Sequence, residues 1–359
     1  MTNFINGRFL TQKTSGVQRF AREIVKALDR QLTATRGGDE WVLLAPQGVV
    51  IDMPLSAITQ RHVGGFSGHL WEQTQLFGAA RRGKLINLCN SGPVLHGKSL
   101  TVIHDAMIFR TPENFSRPYR AVHGTLGHLL SRRGRIATVS EFSKRELNET
   151  IGAKDVTVIP NSCEHLASIT PDDAVLQRLG LTPGRYLLFV GSPTPNKNIL
   201  RAVEAICLMG DQAPDFVVVG AAASTVFRAD LPGTQNGVPQ NDCVKFAGRL
   251  SDEEIVALYT HANALVFPSL YEGFGIPPLE AMLLGCPVLS SNIATSQEVC
   301  GEAALYFDPN DPHDIARAIV HLAENPDLRR EMIDRGHRRA ALFSWDRSAS
   351  ALLRAVSGL

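Results

Sequence analysis

Two glutamates, Glu272 and Glu280, lie eight positions apart in the stretch Tyr271-Glu-Gly-Phe-Gly-Ile-Pro-Pro-Leu-Glu-Ala-Met282, with two glycines and two prolines between them. Glycine lets the backbone approach a ligand closely, and proline is well tolerated at the first position of a helix. The N–H groups at a helix start have no intrahelical acceptor and form a ready anion site. The stretch therefore predicts a loop and helix start at which two carboxylates flank an anion-binding backbone.

This loop must be held between a strand and a helix. Ala264–Phe267 has the short apolar composition of a strand, and 268–277 is then a loop at its carboxyl end. Pro278–Leu284 is predicted as the helix, with Gly285 at the position that follows its end. The unit places Glu272 in the loop, at a strand end, and makes it a candidate for ligand contact.

Glu280 is predicted in the first turn of that helix, where two roles are open. A carboxylate in the first turn is stabilised by the helix dipole and could be a cap alone. Alternatively, it accepts hydrogen bonds from a ribose diol, as the acidic residue of dinucleotide-binding folds does.

Short apolar runs rich in β-branched residues alternate with helical patterns along the chain. The predicted strands are Trp41–Ala45, Leu100–Ile103, Ile136–Val139, Val156–Ile159, Tyr186–Val190, Phe216–Val219, Val244–Phe246, Ala264–Phe267 and Pro287–Ser290. The predicted helices are Gly16–Asp29, Arg117–Arg133, Ser143–Ile151, Asn198–Met209, Ser251–Ala262 and Asp311–Glu324. Near-continuous apolar strands are typical of parallel sheets with helices on both faces. The alternation occurs twice and predicts an α/β protein with two doubly wound units.

Length and composition describe a globular chain of two domains. The 359 residues are too many for one ordinary core, and 44% apolar with 20% charged residues is a typical globular composition. No apolar run approaches the roughly 20 residues that span a bilayer, and the N-terminal stretch lacks the apolar region of a secretory signal. Because the six cysteines have no metal-ligand spacing, we interpret them as reduced thiols of a cytoplasmic protein.

The net charge of +1 hides an asymmetry between the two halves of the chain. Residues 1–165 carry 21 Lys and Arg against 13 Asp and Glu, a net +8, whereas the remainder carries 15 against 22, a net −7. The basic half could meet a nucleic acid, an anionic membrane face or a phosphorylated acceptor, or it could be an ordinary solvated surface. Because no basic motif is interleaved with aromatic residues, we do not expect nucleic acid as a partner.

Five stretches of the second half form one specific set of motifs. They are Val190-Gly-Ser-Pro-Thr-Pro-Asn-Lys-Asn198, Gly248-Arg-Leu-Ser-Asp-Glu-Glu254, Ala264-Leu-Val-Phe-Pro-Ser269, Glu272-Gly-Phe-Gly-Ile-Pro-Pro-Leu-Glu280 and Gly285-Cys-Pro-Val-Leu289. Together they resemble the signature of retaining glycosyltransferases of the GT4 type, continuously from about 186 to 350 and less closely from 1 to 165. The resemblance implies the GT-B fold, in which two Rossmann-like domains face a central cleft.

The same resemblance implies the domain organisation. We place an acceptor-side domain at 1–165 and a nucleotide-sugar-binding domain at 166–342. The last residues, 343–359, would form a helix that could cross back to the first domain.

Donor-binding roles are implied for residues at matching positions of the second half. Lys197 would neutralise the donor diphosphate, Glu280 would bind the ribose, and Leu250 would lie beside the nucleobase. Glu272 would contact the donor sugar and the diphosphate, as a catalytic residue. The backbone amides of Phe274 and Gly275 are implied to share these contacts, and Ile276 is a further donor-binding residue.

One position departs from the family pattern. Ser192 stands where the family often has an arginine, so that one phosphate-binding cation could be missing. Arg249 is a candidate to replace it, unless it forms an ion pair with Asp252 or Glu253.

Two positions of the first half also resemble the family. Gly16, in Thr14-Ser-Gly-Val-Gln-Arg19, would approach the donor phosphates at a helix start. His104, in Val102-Ile-His-Asp105, would hydrogen-bond the donor sugar from a strand end and belongs to the catalytic set.

The implied reaction moves a mannosyl, glucosyl or deoxyhexosyl group from a nucleoside diphosphate sugar to a saccharide acceptor, with retention of configuration. The chain contains no Asp-x-Asp motif, and we expect neither a metal nor a cofactor. The acceptor could be linked to polyprenyl diphosphate at the inner face of the plasma membrane, in bacterial surface-polysaccharide or O-antigen assembly. The alternatives are a sugar-nucleotide epimerase, a glycoside phosphorylase and a catalytically silent nucleotide-sugar-binding module.

Overall fold

The computed structural model of the protein describes residues 1–35, 38–192, 194–220 and 243–359, together with the backbone of two short strands at 234–235 and 238–239. The internal contacts divide the chain into two compact units. The first unit comprises Met1–Asn161 and Ser344–Leu359, and the second comprises Ser162–Phe343. These boundaries lie within a few residues of 165 and 342, the positions set from the sequence.

The first unit is built on one parallel sheet of seven strands. The strands are β1 (Asn3–Asn6), β2 (Trp41–Ala45), β3 (Thr59–His62), β4 (Lys84–Asn87), β5 (Ser99–Val102), β6 (Arg135–Thr138) and β7 (Thr157–Val158). Their order in the sheet is β3-β2-β1-β4-β5-β6-β7. Strands β1, β2 and β5 are buried along their whole length, as strands covered by helices on both faces must be.

Six helices accompany these strands in the described part of the first segment. They are α1 (Gly16–Thr35), α2 (Gly68–Trp71), α3 (Phe77–Ala80), α4 (Met107–Arg110), α5 (Arg117–Arg133) and α6 (Glu141–Ile151). A π-helical segment, Glu72–Leu76, joins α2 to α3, so that one continuous helix runs from residue 68 to 80. Such segments are rare and are frequently found at functional sites.

The second unit contains a parallel sheet of six strands and a separate two-stranded antiparallel hairpin. The strands are β8 (Tyr186–Val190), β9 (Asp215–Val219), the hairpin strands β10 (Thr234–Gln235) and β11 (Val238–Pro239), and then β12 (Val244–Gly248), β13 (Ala264–Phe267), β14 (Val288–Ser291) and β15 (Ala304–Phe307). The order of the six-stranded sheet is β12-β9-β8-β13-β14-β15.

Helices cover this second sheet. They are α7 (Ala174–Arg178), α8 (Ile199–Leu208), α9 (Asp252–His261), α10 (Ile276–Leu283), α11 (Ala294–Cys300), α12 (Pro312–Glu324) and α13 (Pro326–Ala340). Short 3-10 turns occur in the two units at Gly7–Thr11, Pro112–Asn114, Glu164–Leu166, Pro195–Lys197, Gly210–Gln212 and Gly301–Ala303. The core of the second unit lies between β8, β9 and β13 and the helices α8 and α12, around Phe189, Phe216 and Ile319.

The last helix, α14 (Trp345–Ser357), belongs to the first unit and packs against α1. Its buried residues recur at helical spacing, and the ring of Trp345 meets the edge of Phe20 at 6.0 Å. Lys84, at the start of β4, donates from Nζ to the Val356 carbonyl at 2.8 Å. The chain therefore returns to its first sheet after completing the second.

The predicted strands are all present, with ends that agree to within two residues. Helix α1 is longer than predicted, because it continues to Thr35. Six strands were not predicted, namely β1, β3, β4, β10, β11 and β15. Strand β3 has the polar sequence Thr-Gln-Arg-His and is fully exposed at a sheet edge, so that its backbone pairing with β2 is the only feature that makes it a strand.

Both parallel sheets are wound in the same way. The chain passes from β1 to β2 and β3 and then returns with β4 to the other side of β1; it likewise passes from β8 to β9 and β12 and returns with β13 beside β8. In open α/β sheets, ligands bind outside the carboxyl ends of the strands where the order reverses. These reversal points lie between β1 and β4 in the first unit and between β8 and β13 in the second.

Candidate functional site

An ion pair spans the reversal point of the second unit. Lys197 ends the 3-10 turn that follows β8, and Glu272 lies in the loop that follows β13. Lys197 Nζ donates to Glu272 Oε1 at 2.5 Å, and the two side chains are only 17% and 11% exposed. The ammonium also lies over the ring of Phe267, 5.3 Å from its centroid. The structure thus brings together two of the residues that the sequence assigned to the donor.

The loop that carries Glu272 is held by hydrogen bonds at Leu270, Tyr271 and Glu272. Thr295 Oγ1 donates to the Glu272 carbonyl at 2.8 Å. Asn196, one residue before Lys197, receives a hydrogen bond on its carbonyl from Leu270 N at 2.7 Å and donates from Nδ2 to the Tyr271 carbonyl at 3.2 Å. The loops that follow β8 and β13 are therefore fixed to each other by one backbone hydrogen bond and one bond from the Asn196 side chain.

Helix α10 begins at Ile276, two residues earlier than predicted. Gly275 is its N-cap and has φ +90° and ψ +70°, a left-handed conformation that a side chain would strain. Phe274 is 5% exposed and meets the ring of Phe343 edge-on at 5.6 Å. The start of this helix thus contains three residues that the sequence assigned to the donor, and its first N–H groups have no intrahelical acceptor.

Because α10 starts earlier, Glu280 lies in its second turn and the prediction of a first-turn position is wrong. The helix dipole acts mainly on the first turn, so that a capping role does not explain this carboxylate. Its Oε2 instead accepts a hydrogen bond from the phenol of Tyr259 at 3.0 Å. Burial and the nearby charge of Glu280 hold the pKa of Tyr259 well above its ordinary value, so that the phenol stays a donor.

Sequence reasoning missed Tyr259, and no local signal identifies it. The tyrosine is fully buried on α9, 21 residues before its partner Glu280. The contact exists because α9 and α10 pack together, which only the tertiary structure shows.

Ser192 and Arg249 both lie at strand ends and are exposed. Ser192 follows Gly191 at the end of β8, and Arg249 follows Gly248 at the end of β12. Strand β9 separates β12 from β8 in the sheet, so that Arg249 and the half-buried Leu250 lie at the other side of the β9 end from Ser192.

The end of β9 makes a close backbone approach that the sequence analysis did not identify. A Cβ on Gly220 would lie 2.1 Å from the Gly191 carbonyl oxygen. Only glycine fits at this position. The ends of β8 and β9 therefore come together next to the backbone of Ser192.

His104 lies two residues beyond β5 in the first unit and is 6% exposed. Its Nε2 contacts the Leu88 carbonyl at 2.9 Å, and its backbone N–H donates to Asn90 Oδ1 at 2.8 Å. Burial lowers the pKa of His104 to about 4. The ring is therefore neutral near pH 7, and a proton on Nε2, donated to Leu88, leaves Nδ1 as an acceptor.

Gly16 is the first residue of α1, a helix of 20 residues, and is exposed. The helix follows β1 after a 3-10 turn, Gly7–Thr11. This places Gly16 at the N-terminus of the first helix of the unit, as the sequence analysis expected.

A second ion pair lies in the first unit and was not predicted. Glu72, on the π-helical segment, is 0% exposed and accepts a hydrogen bond from Arg8 Nη1 at 2.7 Å. It also accepts from Asn6 at 2.8 Å, Ser91 at 2.8 Å and His69 at 3.0 Å. Burial acts to raise the pKa of Glu72, but these hydrogen bonds and the charge of Arg8 outweigh it, so that the pKa lies below its ordinary value.

The described residues contain no cluster of three or more His, Cys, Asp or Glu side chains that could hold a metal ion. None of the six cysteines, all of which lie among the described residues, forms a disulfide. In the part of the chain that the structure describes, no helix combines the length and the apolar character that crossing a membrane requires.

Comparisons with known proteins agree with the motifs. The family model described as "Glycosyl transferases group 1" matches residues 176–339. The chain is 29% identical over 270 residues to O-antigen chain mannosyltransferase B of Escherichia coli, covering 72% of this chain and 70% of that protein. It is 30% identical over 258 residues to the O-antigen chain mannosyltransferase RfbU of Salmonella typhimurium, covering 71% of this chain and 67% of that protein.

Solved structures show the same fold. The chain superimposes on Anabaena Alr3699/HepE, solved in complex with UDP and glucose, with a TM-score of 0.74 at 17% identity over 100% of both chains. WaaG, a glycosyltransferase involved in lipopolysaccharide biosynthesis, gives a TM-score of 0.71 at 15% identity, also over 100% of both chains. The predicted fold class, GT-B with two Rossmann-like parallel-sheet domains, is confirmed.

Proposed function

The chain belongs to the group 1 glycosyltransferases, and we propose that it transfers a mannosyl residue from a nucleoside diphosphate sugar to a saccharide acceptor, with retention of the anomeric configuration. The single observation that carries this proposal is the Lys197–Glu272 pair at the reversal point of the second sheet, beside the start of α10. The names of the two O-antigen chain mannosyltransferases support the sugar. The UDP and glucose in the fold relative support the class of donor.

The proposed reaction breaks the bond between the anomeric carbon and the diphosphate oxygen. The acceptor oxygen forms the new bond to that carbon, and the proton of the acceptor hydroxyl passes to the departing diphosphate. Lys197 has three N–H donors, of which one is directed at Glu272, so that two remain for diphosphate oxygens. A fixed cation at the site of developing negative charge is a large source of rate enhancement, and we propose no metal and no cofactor.

The rest of the donor occupies the carboxyl edge of the second sheet in this proposal. Glu280, oriented by Tyr259, accepts hydrogen bonds from the ribose diol. Leu250 lies beside the base, and Arg249 supplies the cation that Ser192 does not. Backbone N–H groups of Phe274, Gly275 and Ile276 face the diphosphate. The further roles of Gly16 and His104 at the donor are proposed from the family resemblance alone.

We propose that the acceptor is a growing surface polysaccharide of the O-antigen type, linked to polyprenyl diphosphate. The basic residues of 1–165, net +8, would then rest on the anionic inner face of the plasma membrane. Vesicle sedimentation tests this point. Binding should increase with the anionic lipid fraction and fall with salt; equal binding to neutral and anionic vesicles at all salt concentrations would remove the membrane from the proposal.

A thermal-shift panel of GDP, UDP and dTDP with their mannose and glucose conjugates tests the donor assignment. A nucleotide at 100 times its dissociation constant stabilises the protein by about 2.7 kcal/mol. One base should give a clear shift, and Glu280→Ala should abolish it. Glu204→Ala, which removes an acid paired with Arg201 on α8, is the matched control and should keep the shift.

The alternatives give different results in the same preparation. A silent binding module would shift with a nucleotide sugar and never consume it. An epimerase would release an altered free sugar without an acceptor, and a phosphorylase would need inorganic phosphate as its second substrate. No shift with any nucleotide would contradict the proposed function.

A further inference from the structure

The first unit has a cluster of hydrogen-bonded polar side chains at its own reversal point. Asn6 ends β1 and Asn87 ends β4, and Asn6 Nδ2 donates to Asn87 Oδ1 at 3.0 Å across the point of reversal. The Arg8–Glu72 pair lies directly beyond these strand ends. This is the position at which an open α/β sheet binds a ligand.

Each oxygen of the Glu72 carboxylate accepts hydrogen bonds from two protein groups. Its two oxygens accept from Asn6, Arg8, His69 and Ser91. When the His69 ring is neutral and donates to Glu72 from Nδ1, its Nε2 is an acceptor. Among the described residues, Arg8 donates from its side chain only through Nη1, to Glu72 and to Ser91. The guanidinium has five N–H donors, so that those on Nε and Nη2 remain for a ligand.

A row of rings extends from this pair along α5. Phe115 stacks on Tyr119 at 5.6 Å, and Tyr119 stacks on His123 at 4.1 Å. His123 meets His69 edge-on at 5.2 Å, and His69 Nδ1 lies 3.3 Å from Arg8 Nη1. The row therefore offers a phenol and two imidazoles beside a guanidinium, on side chains fixed by stacking. Tyr119 is 47% exposed, so that the row is open to a ligand.

Charge and space decide what kind of ligand suits this row. Glu72 cancels the charge of Arg8, so that the site has no excess of positive charge for a phosphate. The cavity beneath Arg8, lined by Gln12, Glu72 and Ser91, has a volume of only about 10 Å³, enough for one water molecule. A ligand must lie on the outer side, against alternating donors and acceptors, and this is the pattern that sugar hydroxyls match.

We propose that Arg8, His69, Tyr119 and His123, held in place by Glu72, bind the terminal sugar of the saccharide acceptor. This inference rests on the proposed transferase function, which requires an acceptor, and it assigns that acceptor to the reversal point of the first sheet. Glu72 is a positioning residue in this site, because all of its bonds go to protein groups.

The probe is an octyl α-mannobioside, a mannose disaccharide with a simple lipid tail. Its direct binding is measured by saturation-transfer NMR without any nucleotide, and its KM is measured separately with the donor. Tyr119→Phe removes one hydroxyl and keeps the stacked ring. We expect this variant to raise the acceptor KM and dissociation constant about 5-fold, while the KM for the donor stays the same.

His123→Gln has a matched control on the same helix. His128 lies five residues further along α5, half-buried against Phe109 at 5.6 Å. His123→Gln should weaken the mannobioside about 5- to 10-fold, and His128→Gln should leave its binding unchanged. Arg8→Lys, which removes the planar fork, should weaken it more than 10-fold.

The outcomes separate this inference from the proposed function. If the wild type binds the mannobioside and the variants lose it, the site is supported even where no nucleotide sugar is turned over. If donor turnover is intact but the mannobioside binds the wild type and all variants equally, or does not bind the wild type, the inference is overturned. If these residues bind anionic vesicles and do not bind the mannobioside, the inference is also overturned, and the row is identified as a membrane surface.

Discussion

The two parallel sheets are wound alike, but the ion pairs at their reversal points differ in the type of cation and in the burial of the carboxylate. Each places a cation beside a glutamate at its reversal point, Lys197 with Glu272 and Arg8 with Glu72. In the second unit both partners come from loops after strands, and both side chains keep some exposure, 17% and 11%. In the first unit the carboxylate lies on a π-helical segment and its side chain is 1% exposed.

The difference indicates what each pair is for. Lysine is a compact point charge with rotatable donors, and it can keep one bond to Glu272 while it turns the others toward a phosphate. Arginine presents a planar fork, and Glu72 holds that fork in one orientation with the help of Asn6, Ser91 and His69. The second pair is suited to a developing charge, whereas the first is suited to a fixed recognition surface.

The largest effect should come from breaking the buried pair of the first unit. Glu72→Leu leaves Arg8 without its counter-charge, and removing one partner of a buried ion pair typically costs about 3–5 kcal/mol in the free energy of unfolding. All three tryptophans, Trp41, Trp71 and Trp345, lie in the first unit, so that denaturant unfolding followed by tryptophan fluorescence reports on it. The control is Glu23→Leu, which breaks the more exposed ion pair with Lys26 on α1. An equal loss in the free energy of unfolding in both variants would show that the burial of the Glu72 pair makes no difference.

Turnover should suffer most from Lys197→Met in the second unit. Removing a group that stabilises the charge of a transition state typically lowers kcat by about 100- to 1,000-fold. Lys245→Met breaks another ion pair of the same unit, to Asp215 at 3.0 Å, and should leave kcat/KM nearly unchanged. If the Lys197 variant keeps more than a third of the wild-type activity, the pair does not act on the leaving group.

Acidification should weaken the first unit through His104. Its pKa is about 4 in the fold and about 6.5 in the unfolded chain. Between these pH values the unfolded chain binds a proton that the folded chain excludes, so that stability falls as pH falls, by about 3 kcal/mol from this group. His104→Gln can keep the bond to Leu88 and should lose less stability between pH 7 and pH 4; parallel curves for the two proteins would contradict this account.

The smallest effect concerns the orientation of Glu280. Tyr259→Phe removes one hydrogen bond to the carboxylate and should weaken nucleotide binding about 5-fold, since one such bond contributes about 1 kcal/mol. Tyr186→Phe is the matched control, because its buried phenol in the same unit donates to the Leu258 carbonyl at 2.7 Å and touches no donor-binding residue. Equal nucleotide affinities for the two variants would show that Tyr259 only packs.

The sequence predicts the second site better than the first, for a physical reason. Glu272, Gly275 and Glu280 follow one another within a single loop and helix start, and Lys197 lies in an equally local strand-end turn. Each of them has a signal in its own neighbourhood. Only the helix start is misplaced, because the prediction puts Pro278 at the first helical position, whereas Ile276 and Pro277 already belong to the helix.

The first site depends on contacts between distant parts of the chain. Arg8 and Glu72 are separated by 64 positions, and they meet because β4 returns to the side of β1. Neither residue has a distinctive neighbour in the sequence, and β1 and β4, with four residues each, are too short to be predicted from their apolar residues. The ring row is local in sequence from Phe115, just before α5, to His123, with a spacing of four residues, whereas its contact with His69 joins distant parts of the chain.

The most direct test of the claim that the two reversal points bind different substrates is calorimetric titration of the nucleoside diphosphate sugar. The titration is made into the wild type, Lys197→Met and Arg8→Lys. The account predicts about 30-fold weaker donor binding for Lys197→Met, as expected for the loss of charge-assisted hydrogen bonds to a phosphate, and a change of less than about 2-fold for Arg8→Lys, whose site in this account does not bind the donor. Wild-type affinity in the Lys197 variant, or an equal loss in the Arg8 variant, would contradict the account.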